Sequence, residues 1–564
     1  MTNIAEARRV IEEAVARGAT DFCVCAGSRN APLLAVLGVS GLRVFSFVDE
    51  RSAAFFALGR AKLTGRPAVV VTTSGTAVAE LLPAAIEAHY SATPLILITA
   101  DRPARYRGTG APQTIEQEEI FGVYGRGSVQ HVNVEFDEPL IDEEVSRWNA
   151  AVSAAGQAAS SPPQQRSSRG GEDAAEPAGG DASVPVAVAA IRPLVLLGGL
   201  HARDRNRVRA FAIALNAPVY AEPLSGLRED PALAHLLITA GERMIGRGDF
   251  DGVIRIGNVP TARFWRDLDE SRRDLPLISF SALPFTGCAR GEVHPIEALP
   301  DNVTPRERDE SFFAADRERA TAIEQILDAE PESELALLRE LSLTIPKNSR
   351  VYLGNSLPIR EWDLASTRDP RGFTIEANRG ANGIDGQLST FLGQCDPTRT
   401  NVCVIGDLTA IYDSNAPWVV PQLDPNLEIR IVIMNNGGGR IFSRVASLKK
   451  LDEPTRERII ENSHAIRFEH WAAMWGMGYA VVSDVRGFAR SRGLAVARAL
   501  GAPPARDAGF LPGGSRQTID ASARALVSEA PPAQIPRGGN ANVIELRPDP
   551  ESTRRAWAKY DALW

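Results

Sequence analysis

The chain has 564 residues, a formal net charge of −8 and five cysteines. A single hydrophobic core stops growing at about 250–300 residues, so two to four domains are expected, and the acidic balance offers no broad basic field to hold nucleic acid by its phosphates. The longest apolar runs, such as Pro94 to Ala100, are strand-sized against the roughly 20 residues that cross a bilayer, which excludes a membrane span.

The N-terminal MTNIAEARRVIEEAVARG carries acids and helical periodicity where a secretory signal needs a basic start and an apolar centre, so it is read as part of the fold. The pattern predicts helix Ile4 to Arg17, strand Phe22 to Cys25, helix Ala31 to Leu37, strand Val44 to Val48 and helix Ser52 to Leu63. It continues with strand Ala68 to Thr72, helix Thr76 to His89 and strand Leu95 to Thr99. Such alternation implies a parallel sheet with helices on both faces. The one close cysteine pair, Cys23 and Cys25, falls in an apolar run, with its side chains expected on opposite sides of a strand. With Cys288, Cys395 and Cys403 they are read as reduced thiols of a cytoplasmic protein, without zinc or redox use.

From Ala151 to Ala190 the text is rich in Ala, Ser, Gly and Pro and offers nothing large and apolar to bury, which reads as a flexible linker. A second α/β pattern runs through PLVLLGGL, APVYAEP, GVIRIGN and LPLISFS. A charged helical segment from Glu307 to Leu343 then leads to a third, with strands at RVYLGNS, NVCVIGD and IRIVIMN. Gly501 to Gln517 and Pro531 to Asn542 read as loops, and Val543 to Pro548 as the last strand. The fold class is α/β: three α/β domains with mostly parallel sheets, over 1–150, 191–345 and 346–564, with the linker at 151–190.

The third unit holds the sharpest motif. In NVCVIGDLTAIYD, Gly406 and Asp407 end an apolar strand; twenty-six residues separate Leu408 from Asn435 in IVIMNNGGGRIF, which also ends a strand. Read singly, GD is a strand-to-helix turn with Asp as N-cap, and NNGGG is a plain loop. Side by side at the carboxyl edge of a parallel sheet, they would bring the acid of Asp407 to the amide oxygen of Asn436. Oxygens of these types suit Mg²⁺ or Mn²⁺, which also takes phosphate oxygens from a bound molecule.

At this separation the pair resembles the thiamine-diphosphate signature. With GNSLPIR, NRGANGIDG and GDLTAIYD, the chain is similar over nearly all its length outside the linker and late loops to the menaquinone-pathway synthases of 2-succinyl-5-enolpyruvyl-6-hydroxy-3-cyclohexene-1-carboxylate. In them the diphosphate motif reads like GDLSALYD; Leu408 stands where many thiamine enzymes have a second Gly.

The resemblance implies a pyrimidine-binding domain, a central domain and a diphosphate- and metal-binding domain, with thiamine diphosphate and Mg²⁺ (or Mn²⁺) as cofactors. It implies a transferase that decarboxylates 2-oxoglutarate and adds the resulting unit to isochorismate. Glu50 matches the family's activating glutamate. Asp407, Asn436 and Gly438 match the metal ligands, and Ser356, Ile384, Ile441 and Phe442 match residues beside the cofactor. Since the cofactor of related enzymes spans two subunits, a homo-oligomer is implied, a dimer or dimer of dimers.

Both substrates are small polyanionic acids, which guanidinium forks bind bidentately. Matching positions are Ser28, Arg29, Arg102, Gln113, Asn355, Arg360, Asn378 and Arg379, with Arg263 where the family commonly has Lys. Among 62 Lys and Arg, a random arginine is a solvated surface charge, so placement on glycine-rich loops after strands is what singles these out. Ala26, Asn30 and Pro112 depart from the family pattern. None of the seven histidines has metal or triad spacing; His470 reads as a helix residue beside tryptophans, and no catalytic histidine is expected. Two rivals are an acetolactate-synthase-like thiamine enzyme and a non-catalytic ligand-binding subunit.

Overall fold

Short β-branched runs punctuated by Gly, Pro and Asn close into three parallel sheets. The structure, a computed structural model, describes residues 2–141, 191–445, 447–485 and 541–564. The segment read as a linker, 151–190, and the loop at 501–517 lie outside the described residues.

The first sheet holds β1 (Asp21–Cys25), β2 (Arg43–Phe47), β3 (Ala68–Thr72), β4 (Leu95–Asp101) and β5 (Val129–Glu135), in the order β2-β1-β3-β4-β5. The second holds β6 (Pro193–Leu197), β7 (Val219–Ala221), β8 (Gly252–Ile256), β9 (Leu277–Phe280) and β10 (Glu292–His294), ordered β10-β9-β8-β6-β7. The third contains β11 (Arg350–Leu353), β12 (Thr374–Glu376), β13 (Thr400–Gly406), β14 (Glu428–Met434), β15 (Gly478–Val482) and β16 (Ala541–Leu546), ordered β12-β11-β13-β14-β16-β15. All three are parallel throughout. Strands β1, β3, β4, β6 and β8 are buried at every residue, as helices on both faces require.

Several elements differ from the sequence reading. Cys23 and Cys25 face one core together, while Phe22 and Val24 face another, because residues two apart share a side of a strand. The stretch Thr76 to His89 divides into helices Thr76–Ala79 and Leu82–Tyr90, since Pro83 lacks the N–H that would continue the first. Likewise Pro331 divides the charged segment into Glu310–Ala329 and Glu334–Thr344, and the Ser333 side chain caps the second by accepting from the Ala336 N–H. The last strand starts at Ala541, two residues inside the expected loop at 531–542, whose earlier part lies outside the described residues. Strands β5, β10, β12 and β15 were not foreseen.

The first and third sheets meet through helix Glu50–Thr64, which crosses helix Gln387–Gln394 at backbone distance. A Cβ on Gly59 would stand 2.1 Å from the Thr390 carbonyl oxygen, and one on Gly393 would stand 2.2 Å from that of Phe56. Phe55, Phe56, Leu388, Phe391 and Leu392 fill one core around this crossing, and Ser52 Oγ lies 2.9 Å from Ser389 Oγ.

In an isolated helix Gly59→Ala would add about 1 kcal/mol of stability. Here the clash with backbone should reverse the sign, costing about 1–3 kcal/mol. Calorimetric melting should therefore fall in this variant; an unchanged or raised melting temperature would contradict the close crossing.

Candidate active site

Strands β13 and β14 pair in register with Gly406 opposite Met434, so Asp407 and the Asn435–Asn436 turn leave the sheet at one level. Asp407 opens helix Asp407–Tyr412 and is only 2% exposed. Its Oδ2 accepts from the backbone N–H groups of Gly437 at 2.8 Å and Gly438 at 3.0 Å, and its Oδ1 from that of Leu408 at 2.6 Å. Burial pushes this carboxyl up from its ordinary range, while His464 and the three N–H groups pull it back.

His464 Nε2 lies 3.4 Å from Asp407 Oδ2. Its Nδ1 accepts from the Ile466 N–H at 3.2 Å, which leaves Nε2 as the ring nitrogen turned toward the acid. Sequence reasoning missed this histidine, because nothing in its spacing connects it with residue 407. His470, by contrast, lies exposed on helix Glu469–Met474.

The two asparagines part ways. Asn435 Nδ2 donates to the Ile466 carbonyl and to Glu545 Oε1, which ties the loop to β16. Asn436 Nδ2 donates to both oxygens of Glu334, and its Oδ1 is buried without a hydrogen-bond partner. Glu361 faces Glu334, and burial, with each carboxyl beside another acid, raises both from their ordinary range.

Gly438 adopts φ +138°, and a Cβ there would stand 2.6 Å from the Glu461 carbonyl oxygen. The loop thus lies flush on its neighbour, as only glycine allows. A buried carboxylate and, on the loop bound to it, a buried amide oxygen that lacks a donor are oxygen donors of the kind that fit a hard divalent ion. Among the described residues no group of three or more His, Cys, Asp or Glu could hold a metal, so any such set here is a mixed one. Next to it, Ile441 is half-buried and Phe442 is 38% exposed, on the turn Arg440–Arg444.

Glu50 begins helix Glu50–Thr64 and is half-buried, behind an Asp49 cap that accepts from the Ser52 N–H. Burial raises its pKa, and the charges of Asp49 and Glu80 raise it further.

A second set of expected residues gathers at the end of β11. Asn355 accepts from Arg379 Nη1 through Oδ1 at 2.8 Å and donates through Nδ2 to the carbonyls of Asn378 and Gly383. Ser356, at φ +72°, accepts from Arg360 Nη1 through its carbonyl, and Ile384 is half-buried in the loop after β12 that carries Asn378 and Arg379. The first sheet's helices hold this loop. Glu87 accepts from the N–H groups of Gly380 at 2.9 Å and Ala381 at 2.7 Å, and Lys62 donates to Asn378 Oδ1 at 2.9 Å.

A cleft of about 440 Å³ opens beside Arg379, lined also by Tyr90, Asn258, Phe285 and Asn382, so all three sheet units contribute to it. Buried Glu222 lies near Arg379 and accepts from the N–H groups of Thr261 at 2.5 Å and Ala262 at 2.8 Å. The remaining expected residues are scattered. Arg29 is buried and donates to the Phe136 carbonyl at 2.8 Å; Arg102 Nε donates to the Pro112 carbonyl at 3.0 Å. Ser28 and Gln113 are exposed. The Arg263 side chain is 62% exposed and paired with Asp267, one helical turn on.

A family profile described as the N-terminal TPP-binding domain of thiamine pyrophosphate enzymes matches residues 6–120. The 2-succinyl-5-enolpyruvyl-6-hydroxy-3-cyclohexene-1-carboxylate synthase of Bdellovibrio bacteriovorus is 42% identical over 507 residues, covering 85% of this chain and 92% of its own length. That of Akkermansia muciniphila is 38% identical over 493 residues, covering 84% and 90%; that of Halobacterium salinarum is 32% identical over 553 residues, covering 86% and 91%. Among solved structures, benzoylformate decarboxylase from Polynucleobacter necessarius matches with a TM-score of 0.58 at 16% identity, covering 88% of this chain and 97% of that one. The latter likeness speaks to fold alone.

Glu222 supplies a pH test of the cleft. Burial first, and Asp363 next, push its carboxyl up to about 8 against an ordinary 4.5. Between those values the folded chain holds a proton that the unfolded chain has lost, so the stability from this group is full in acid and is lost as pH rises through about 8. Melting temperatures from about pH 5 to about pH 9 should fall less steeply for Glu222→Gln than for the unaltered protein; superimposable slopes would contradict the burial.

Proposed function

Because this chain belongs to the 2-succinyl-5-enolpyruvyl-6-hydroxy-3-cyclohexene-1-carboxylate synthase family, we propose that Asp407, Asn436 and Glu50 carry its thiamine-dependent chemistry. It is a transferase of menaquinone biosynthesis that joins the unit left by decarboxylating 2-oxoglutarate to isochorismate, and it depends on thiamine diphosphate. The observation that carries the site reading is Asn436 Oδ1, a buried acceptor without a donor on the loop whose Gly437 and Gly438 N–H groups hold the Asp407 carboxylate. Asp407, Asn436 and the Gly438 carbonyl would hold Mg²⁺ or Mn²⁺ against the diphosphate.

Bound thiamine diphosphate supplies a nucleophilic carbon and the electron sink for decarboxylation. The protein's own work is positioning and proton transfer. Glu50, raised by burial, suits a carboxyl that shares a proton with a ring nitrogen rather than one permanently ionised. Ser356, Ile384, Ile441 and Phe442 would flank the cofactor. For the substrate acids, Arg379 and Arg360 are the foremost candidates. Arg379 lines the cleft and is braced by Asn355, and Arg360 lies within reach of the Glu222 and Glu242 carboxyls. Ser28, Arg29, Arg102, Gln113 and Arg263 complete the proposed substrate set. The buried ties of Arg29 and the outward pose of Arg263 are compatible with contact only after local movement.

The groups acting on Glu50 are Asp49 and Glu80, whereas those acting on Asp407 are His464 and its own loop. The assembly we propose is the one the family resemblance implies, a homodimer or dimer of dimers with the cofactor between subunits. The setting we propose is the cytoplasm, where thiols such as the five free cysteines stay reduced. Among the described residues, no helix is long and apolar enough to cross a membrane.

Mass spectrometry of reactions containing 2-oxoglutarate, isochorismate, thiamine diphosphate and Mg²⁺ should show the succinyl adduct. It should vanish without the cofactor and in Glu50→Gln, while that variant keeps its circular dichroism. Preference for pyruvate would favour an acetolactate-synthase-like activity, no CO₂ release a binding subunit, and undiminished turnover in Glu50→Gln would remove Glu50 from its role.

A further inference from the structure

A cation at Asn436 needs the oxygen of its amide, yet an unrestrained amide presents NH₂ as readily. Glu334 removes that freedom. It is the first residue of helix Glu334–Thr344, is 2% exposed, and accepts from Asn436 Nδ2 through Oε1 at 3.0 Å and Oε2 at 3.1 Å. Both Glu334 oxygens accept from the NH₂ end, so that end is turned to Glu334 and Oδ1 points the other way.

That oxygen is left buried and unpartnered, an unfavourable state in a folded protein unless something arrives to use it. We propose that Glu334 is a positioning residue for the divalent ion, holding the Asn436 amide with its oxygen toward the site next to Asp407. The inference rests on the reading of Asp407 and Asn436 as ion ligands given above.

A plainer role for Glu334 is that of an acid in the first turn of a helix, favoured by the helix dipole. The two roles make different demands. The dipole needs a charge in that turn, which aspartate supplies equally well. Orientation of Asn436 needs reach, which aspartate lacks by one methylene, and it needs an acceptor, which glutamine supplies without charge. The helix end has its own cap in Ser333, whose side chain accepts from the Ala336 N–H at 3.2 Å, so the helix start does not depend on Glu334.

The test is calorimetric titration of Mg²⁺ into the full-length protein with thiamine diphosphate present, on Glu334→Asp, Glu334→Ala and Glu334→Gln, with melting of each ion-free protein alongside. Loss of an outer partner of a metal ligand weakens binding by about 10–100-fold. That loss is expected for Glu334→Asp and Glu334→Ala, with most of the affinity restored in Glu334→Gln. If Glu334→Ala does not fold, the contrast between Glu334→Asp and Glu334→Gln decides. Mg²⁺ affinity unchanged in Glu334→Asp, or lost equally in Glu334→Gln, overturns the positioning role while leaving the ion site intact. A wild-type protein that binds neither Mg²⁺ nor the cofactor overturns the site reading itself.

Discussion

Asp407 Oδ2 accepts two successive backbone N–H groups, those of Gly437 and Gly438, and this one carboxylate oxygen joins the end of β13 to the loop after β14. Taking a carboxylate out of water costs several kcal/mol even after relaxation. Two N–H groups from the loop, one from Leu408 and the nearby imidazole of His464 offset part of that cost. The remainder gives the site its appetite for positive charge. On the reading proposed above, the unpartnered Asn436 oxygen and the cramped Gly438 would belong to the surroundings of a divalent cation.

That local arrangement is held by a rigid frame. The Gly59–Gly393 crossing brings helix Glu50–Thr64 to backbone contact with helix Gln387–Gln394, so the acid at the start of the first helix and the loop that precedes the second are fixed to one another. Glu87 and Lys62 extend the same contact to the Asn378–Ala381 stretch, where Arg379 stands. A charged pair buried there contributes little net stability, but it leaves the loop few alternative conformations. The loop that carries Arg379 is thereby braced from a different sheet than its own, which holds loop side chains at fixed geometry.

The sequence exposes what is local and periodic. Parallel strands and their order of appearance could be read because β1, β3, β4, β6, β13 and β14 are dominated by apolar residues, and the meeting of Asp407 with the loop after β14 follows once two such strands are neighbours. Strands β10 and β12, three residues each, and the alternating β5 carry too little pattern to stand out from loops. Prolines 83 and 331 were visible, and a helical period simply ran through them. The sharing of one face by Cys23 and Cys25 is a matter of strand parity, not of environment. What no local pattern reveals is partnership across the chain. Glu334 meets Asn436 across 102 residues, Arg29 spends its guanidinium on a carbonyl 107 residues away, and His464 reaches Asp407 only through the turn that follows β14.

The central claim is that the oxygens at the ends of β13 and β14 grip a divalent ion, and anomalous diffraction from crystals grown with thiamine diphosphate and Mn²⁺ tests it most directly. The account expects one strong peak about 2.1 Å from an Asp407 carboxylate oxygen and from Asn436 Oδ1, with diphosphate completing the shell. A peak bound elsewhere, or Asn436 turned with its NH₂ toward the peak, would contradict it.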